Sequence, residues 1–441
     1  MKEQWVFMEK RILLIGYNYY PEPTGIGKYS GEMIAWLAQH GYECEVVTAY
    51  PYYPQWKVDG KYITKKFWYC TEYQRVGGTK VKVNRCPIYV PAVPTGLKRI
   101  ALDLSFLISA FFKICQLLFN KKFDYVITVV PCFQFGLLGV FYKMCRKAVL
   151  LYHIQDMQIE AARDLKMITS QSVLKLLFRL EKYILDKSDA ISSISEGMVR
   201  NIKMKAKKDI FLCANWTDCR LYFPIKNKST LKESYGFKPL DKIILYSGAI
   251  GEKQGLEAIL HAAKSFEKHI ELKFIICGSG PYKEKLSLLS AKMALKNVFF
   301  FPLQPSESFN LFLNLADVHL IIQKSNAGDL VMPSKLTTVL GVGGLALITA
   351  HKGTGLHTSV SQHNIGLLIE PENQQALNSG IWKAISENHD SIRENARAYA
   401  EEHLSIDKIM GTYNKQVLKN CTNTKGEQTK RHKPHMATSG G

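Results

Sequence analysis

Short apolar runs alternate with stretches of helical periodicity twice along this chain of 441 residues. In the first half, runs at 11–16, 44–48, 124–130, 148–154 and 190–194 read as strands. After about residue 225 the alternation restarts, with strands expected at 242–247, 272–277, 297–301, 317–322, 345–349 and 366–369. Continuously apolar strands separated by amphipathic helices predict parallel sheets covered on both faces. The expected fold class is therefore α/β, with two doubly wound parallel sheets in succession. The join falls near Asn215-Trp216-Thr217-Asp218, where periodicity lapses and turn formers gather. This predicts a Rossmann-like domain over 1–215, a second over 216–395, a closing helix over 396–420 that crosses back to the first, and a polar tail over 421–441. Two such domains facing a cleft would take ligands at the carboxyl ends of their strands.

One stretch, IALDLSFLISAFFKICQLLF at 100–119, has the length of a membrane span, but Asp103 and Lys113 interrupt it. On a helix, Ser105, Ser109, Lys113, Gln116 and Asn120 form one narrow polar stripe. The remaining face is broad and apolar, with Phe106, Phe111, Phe112 and Phe119, and Lys98-Arg99 and Lys121-Lys122 flank it. Residues 98–122 have three readings: a helix lying in a membrane interface, a packed helix of the first domain and, the least favoured, a spanning helix.

Composition narrows the partners. A content of 46% hydrophobic and 22% charged residues belongs to a globular chain. The formal net charge of +20 implies an anionic partner: nucleic acid, an anionic membrane face or a phosphate-bearing substrate. No helix-turn-helix, RRM or zinc signature is present, so nucleic acid is not expected. Basic residues gather at Lys61, Lys65, Lys66, Arg75, Lys80, Lys82 and Arg85, and again at Arg200, Lys203, Lys205, Lys207 and Lys208. The ten cysteines form no CxxC pair and no Cys/His cluster at ligand spacing. With no export signal at the N-terminus, free thiols in a reducing cytoplasm are expected, and no metal site.

Candidate chemistry lies where strands end. After the first strand, Gly25-Ile26-Gly27 and Gly31 open an amphipathic helix, a loop type that holds anions by backbone N–H groups. The spacing misses a dinucleotide fingerprint by one residue and lacks the P-loop ending. In the second half, Gly248, Gly251 and Lys253 repeat the theme, and Cys277-Gly278-Ser279-Gly280 ends another strand in a tight turn. Asp329 or Ser334 is expected to cap the helix that follows Pro333. Lys335 falls in its first turn, where a cation opposes the helix dipole unless an anion is bound. In the first half, His153 and Asp156 end a strand and could project toward ligand as hydrogen-bonding or proton-handling groups, or His153 could be a satisfied structural histidine.

Taken together, PEPTGIGKYSGEM (21–33), PYYPQW (51–56), RCPIYVP (85–91), HIQDMQIE (153–160), SSISEGM (192–198), NWTD (215–218), YSGAIGEKQGLE (246–257), CGSGP (277–281) and LVMPSKLTTVLGVGG (330–344) carry a resemblance over about residues 10–415. The chain resembles the retaining nucleotide-sugar glycosyltransferases of family 4, with the GT-B architecture, and within them the bacterial branch that builds colanic acid and related exopolysaccharides.

The resemblance implies transfer of a hexose from a GDP- or UDP-sugar to a lipid-linked oligosaccharide, with no metal and no other cofactor. It also implies a cytoplasmic enzyme, peripheral on the anionic inner membrane face. It places Gly25 and Gly27 near the donor diphosphate and acceptor, and His153 and Asp156 near the transferred sugar. Lys253 and Lys335 would neutralise the leaving diphosphate, and Gly278 and Gly280 would lie near the base. Gly248, Gly251, Asp329, Pro333, Ser334 and Thr338 complete the implied donor site. The family's E-x7-E motif is absent: its second position is Thr338, its first is Leu330, and Ala249 stands where an Arg is usual. Alternative readings are a sugar-nucleotide epimerase of the same fold, or a degenerate polysaccharide-assembly subunit at the membrane.

Overall fold

The computed structural model describes residues 10–23, 25–93, 95–164, 168, 170–324 and 333–420, without the side chains of Ala161, Asp164 and Lys253. The expected tail and Asp329 lie outside the described residues. The chain divides into two compact units. The first runs to Ile194, takes in Met198–Cys213 and regains the chain at Met410, while the second holds Ser195–Gly197 and Ala214–Ile409.

The first unit is built on eight strands: β1 (Arg11–Ile15), β2 (Glu43–Ala49), β3 (Cys70–Val76), β4 (Thr79–Cys86), β5 (Tyr125–Val130), β6 (Val149–Ile154), β7 (Ala190–Ser193) and β8 (Ile210–Leu212). Their spatial order is β3-β4-β2-β1-β5-β6-β7-β8. Every pairing is parallel except β3 with β4. The central strands are buried along their whole length, which is why they read as unbroken apolar runs.

β3, β4 and β8 escape that pattern. β3 alternates half-buried and exposed positions, and it joins β4 through Gly77-Gly78, both at positive φ, as a two-residue hairpin requires. β8 is only three residues long. Of the first basic cluster, Arg85 is internal. It is buried, paired with Glu72 at 2.7 Å, and donates to the carbonyl oxygens of Ala49 and Tyr20.

The second unit carries β9 (Lys242–Ser247), β10 (Leu272–Cys277), β11 (Val298–Phe301), β12 (Val318–Ile321), β13 (Ala346–Thr349) and β14 (Leu367–Ile369). They are parallel throughout, in the order β11-β10-β9-β12-β13-β14. Ile244 and Tyr246 face one apolar core, and Ile243 and Leu245 face another, so helices cover both sides. All six strands fall where the apolar runs predict them.

The closing segment differs from expectation. Its helix Asp390–His403 stays with the second unit, where Ala396, Ala400 and Leu404 pack on Leu336, Val339 and Leu340. Thr217 N–H also donates to Leu404 O at 2.8 Å. The chain rejoins the first unit only from Met410, where Tyr42 Oη donates to Asn414 Oδ1 at 2.7 Å and Tyr125 Oη to Leu418 O at 2.9 Å.

The long apolar helix spans Gly96–Leu117. Its inner face buries Leu102, Phe106, Ala110, Ile114 and Leu117, and Phe106 meets Tyr17 and Phe135 edge-on at 5.8 and 5.0 Å. The two serines of the polar stripe bond the segment Pro87–Tyr89. Ser109 Oγ donates to Pro87 O at 2.7 Å, and Ser105 Oγ accepts from Tyr89 N–H at 2.9 Å. The face left outward is apolar: Leu97, Ile100, Leu104, Ile108 and Phe112, the last 58% exposed.

Tyr125→Phe keeps the ring and removes the hydroxyl that holds the returning segment. We expect a loss of about 1 kcal/mol and faster amide exchange over 414–420, with exchange in β9–β14 unchanged.

Candidate active site

In the second unit β9 and β10 lie side by side, with Ser247 opposite Cys277, so the loops that follow them are neighbours. Gly248, Gly278 and Gly280 have φ of +154°, +149° and +155°. A Cβ at Gly278 would sit 1.9 Å from Gly248 O, and one at Gly280 would sit 2.1 Å from Ile250 O. The two loops therefore pack backbone on backbone, stitched by Gly248 N–H to Cys277 O at 3.0 Å and Ile250 N–H to Ser279 O at 2.9 Å. Only glycine permits that approach at those torsions. Gly251 precedes a 3-10 turn, Glu252–Gln254, that contains Lys253.

The helix Ser334–Gly341 brings its own cation to these loops. Of the two expected caps, Ser334 does not act as one: it is the first helical residue, and Pro333 stands at the N-cap without a side-chain hydrogen bond. Lys335 Nζ lies 4.0 Å from the ring centroid of Tyr246 and close to Gly248, against which a Cβ would be 3.7 Å away. The residue is partly exposed as a whole, but its ammonium end is enclosed, and burial lowers its pKa to about 7. Among the described residues no carboxylate is a cause of that shift, and the face of Tyr246 lies against the charge. Thr338 Oγ1 donates to Lys335 O at 3.0 Å, within its own helix.

In the first unit, the turn after β1 leads into the helix Gly25–Gln39. Gly25 has φ +60°, and a Cβ at Gly27 would lie 2.5 Å from Glu22 Oε2. His153 is fully buried on β6, opposite Ser192 of β7, with Nδ1 2.9 Å from Ser192 Oγ. Burial lowers its pKa to about 4, so it is neutral at ordinary pH. Asp156, two residues past the end of β6, is exposed.

Comparison with known proteins identifies this arrangement. Residues 24–205 match the glycosyl transferase 4-like domain, and residues 227–403 match glycosyl transferases group 1. The chain is 37% identical over 412 residues to the Escherichia coli K12 protein named as the colanic acid biosynthesis glycosyl transferase WcaI, covering 91% of this chain and 98% of that one.

The chain is a family 4 glycosyltransferase.

Solved structures agree on the GT-B fold. Sucrose-phosphate synthase from Thermosynechococcus elongatus superposes with a TM-score of 0.72 at 15% identity, covering 94% of this chain and 100% of that one. Anabaena HepE in complex with UDP and glucose gives 0.66 at 14% identity, with the same coverage.

Within this glycosyltransferase, the structure brings Gly248, Gly278, Gly280 and Lys335 into one cluster, and it holds Gly251, Pro333, Ser334 and Thr338 on the elements that form it. Gly25, Gly27, His153 and Asp156 belong to the first unit. Two residues that position the site were not singled out by sequence reasoning. Tyr246, the platform under Lys335, looked like one more strand residue. Glu22 looked like one polar residue of a turn.

Gly278→Ala tests the loop packing. The disfavoured torsion alone costs about 1–3 kcal/mol, and the clash adds to it. A lower melting temperature, with weakened nucleotide binding in whatever fraction folds, is the expected result in calorimetry.

Proposed function

We propose that this family 4 glycosyltransferase moves a hexose from a UDP- or GDP-sugar to a lipid-linked oligosaccharide in the assembly of a colanic acid-type exopolysaccharide. The anomeric configuration is retained, and no metal is required. The enclosed Lys335 ammonium beside the Gly248 loop carries the donor half of this reading. It is a cation held in the second unit and balanced by none of the described carboxylates, at the start of a helix whose N-cap residue, Pro333, offers no side-chain hydrogen bond. A nucleoside diphosphate supplies the missing negative charge. The bound UDP and glucose of HepE favour a nucleotide-sugar donor, and the name of the WcaI relative favours a colanic acid-type product.

The chemistry needs little from acid–base side chains. The bond from the sugar C1 to the diphosphate oxygen breaks as the acceptor oxygen bonds to C1 on the same face. The acceptor proton passes to the departing phosphate oxygen. Lys335, with Lys253 on the neighbouring turn, stabilises the charge that develops on the diphosphate. The neutral, buried His153 and the exposed Asp156 serve the transferred sugar by hydrogen bonds. A pKa of about 4 leaves His153 without a proton to give at neutral pH.

The outward face of the helix Gly96–Leu117 supports a peripheral place at the anionic inner membrane surface, on the cytoplasmic side. The helix is long and apolar enough to cross a membrane, but its Phe106 face is part of the first unit's core, which favours lying over spanning. Exposed Lys98, Arg99, Lys121 and Lys122 flank the apolar stripe, as an interfacial helix on anionic lipid requires.

Five measurements test this reading. In thermal shift against GDP-, UDP- and dTDP-sugars, one nucleotide class should raise the melting temperature. NMR of the transferred product should show the donor's anomeric configuration. Lys335→Met should weaken nucleotide binding roughly ten- to hundred-fold, or about 1.4–3 kcal/mol. Binding should also take up a proton, because a diphosphate returns a lysine with pKa about 7 toward its ordinary value. That uptake should be large at pH 8, small at pH 6 and missing in Lys335→Met, as read by calorimetry in buffers of different ionisation enthalpy. No stabilisation by any nucleotide-sugar would sink the donor reading. For the membrane, the full chain should sediment with phosphatidylglycerol-containing vesicles and less so at high salt. Phe111→Ser with Phe112→Ser should weaken this roughly ten-fold or more.

A further inference from the structure

Glu22, in the turn between β1 and the helix Gly25–Gln39, is 3% exposed. Its Oε1 accepts the backbone N–H groups of Tyr52 at 3.1 Å and Tyr53 at 3.0 Å, and its Oε2 accepts Asn18 Nδ2 at 2.8 Å. The same Oε2 is the atom that a Cβ at Gly27 would meet, so the carboxylate is seated on the first turn of the helix. One side chain thus fastens the end of β1, the glycine turn and the loop after β2. It also walls a cavity of about 340 Å³ whose lining includes Pro51, Tyr52, Tyr53, Gln55 and Asp59.

A carboxylate is a costly fastener here. Burial raises its pKa to about 7, against the lowering effect of the Tyr52 and Tyr53 amides, of Asn18 and of Arg85 on β4. The other charged or titratable groups facing it are the Tyr52 and Tyr53 phenols, with Lys57 and Asp59 on the cavity wall. A glutamine has the same length but one accepting oxygen. It can serve the two amides, while its NH2 group opposes Asn18 Nδ2. Two accepting oxygens are what the charge provides.

We propose that Glu22 is a positioning residue for glycosyl transfer, locking the Tyr52–Tyr53 backbone to the glycine turn so that both meet the substrates as one rigid edge. This rests on the reaction proposed above. The structure argues for the fastening on geometry, and the stability cost of the buried charge argues that the fastening serves catalysis rather than folding.

Amide exchange on the full chain without substrate tests the fastening. Glu22→Ala should speed exchange over 17–31 and 50–60 together and leave β9–β14 unchanged, and Glu22→Gln should do so to a smaller degree. A pH series tests the charge. Because the folded carboxyl has its pKa raised from 4.5 to about 7, protonation stabilises the fold. Wild-type stability should therefore fall as pH rises across that window. Glu22→Gln should remove that slope and be the more stable protein at pH 8 but not at pH 4. With a nucleotide-sugar donor, Glu22→Gln at pH 8 should lose about ten-fold or more in kcat without losing melting temperature. Unchanged exchange in both segments of Glu22→Ala, or full kcat in Glu22→Gln, overturns the proposal. If the wild type turns over no nucleotide-sugar, the glycosyl-transfer reading fails, while the exchange and pH series still decide whether Glu22 fastens the loops.

Discussion

The carbonyl oxygen of Gly248 occupies the space where a side chain at Gly278 would begin, and the carbonyl of Ile250 does the same at Gly280. Two loops from neighbouring parallel strands can share that space only if both are bare backbone there. Much of the second unit's candidate site follows from this contact. It fixes the Gly248 turn, and the turn in turn fixes where Tyr246 ends its strand, with its hydroxyl donating to Ala249 O at 2.7 Å. Tyr246 then offers its ring to Lys335 from another helix. A cation resting on an aromatic face is the electrostatic result of a steric constraint one layer below.

The first unit reaches a comparable end by opposite means. Its strand-end loops are joined by a buried side chain, Glu22, that replaces backbone-to-backbone contact with three hydrogen bonds. Behind that turn, Arg85 holds Tyr20 O and Ala49 O while paired with Glu72. The cluster of cations around it in the sequence gives no hint that this one is internal.

Much of the sheet architecture was legible because parallel strands covered on both faces must be apolar at every position. β1, β2, β5, β6, β7 and the six strands of the second unit announce themselves that way. β3 and β4 do not: β3 alternates half-buried and exposed positions, and β4 carries Thr79, Lys80, Lys82, Asn84 and Arg85 among its apolar residues. The Gly77-Gly78 pair between them was the available signal, one that depends on turn geometry and not on hydrophobicity. The strand-end glycines and Lys335 were also visible, since loop composition reports backbone demands directly. The burial of His153, the platform under Lys335 and the two-sided role of Glu22 were not, because each depends on which residue a distant segment brings alongside. The helix Gly96–Leu117 shows the same limit. Its polar stripe was readable, but the segment Pro87–Tyr89 bonds Ser105 and Ser109, so the stripe reaches solvent at its Lys113, Gln116 and Asn120 end.

The polar character that hides β3 from a hydrophobicity pattern has a consequence for the molecule at high concentration. β3 is the outermost strand of the first sheet, and the opposite border is β8, with three residues. The second sheet ends in β11 and β14, of four and three residues. Sheets this apolar would otherwise offer long, open ladders of N–H and C=O groups to any copy of themselves that drifted past. Short borders on three sides and a charged, alternating border on the fourth leave little for a foreign strand to join. The sheet interiors can therefore be as greasy as folding demands without inviting fibrillar assembly.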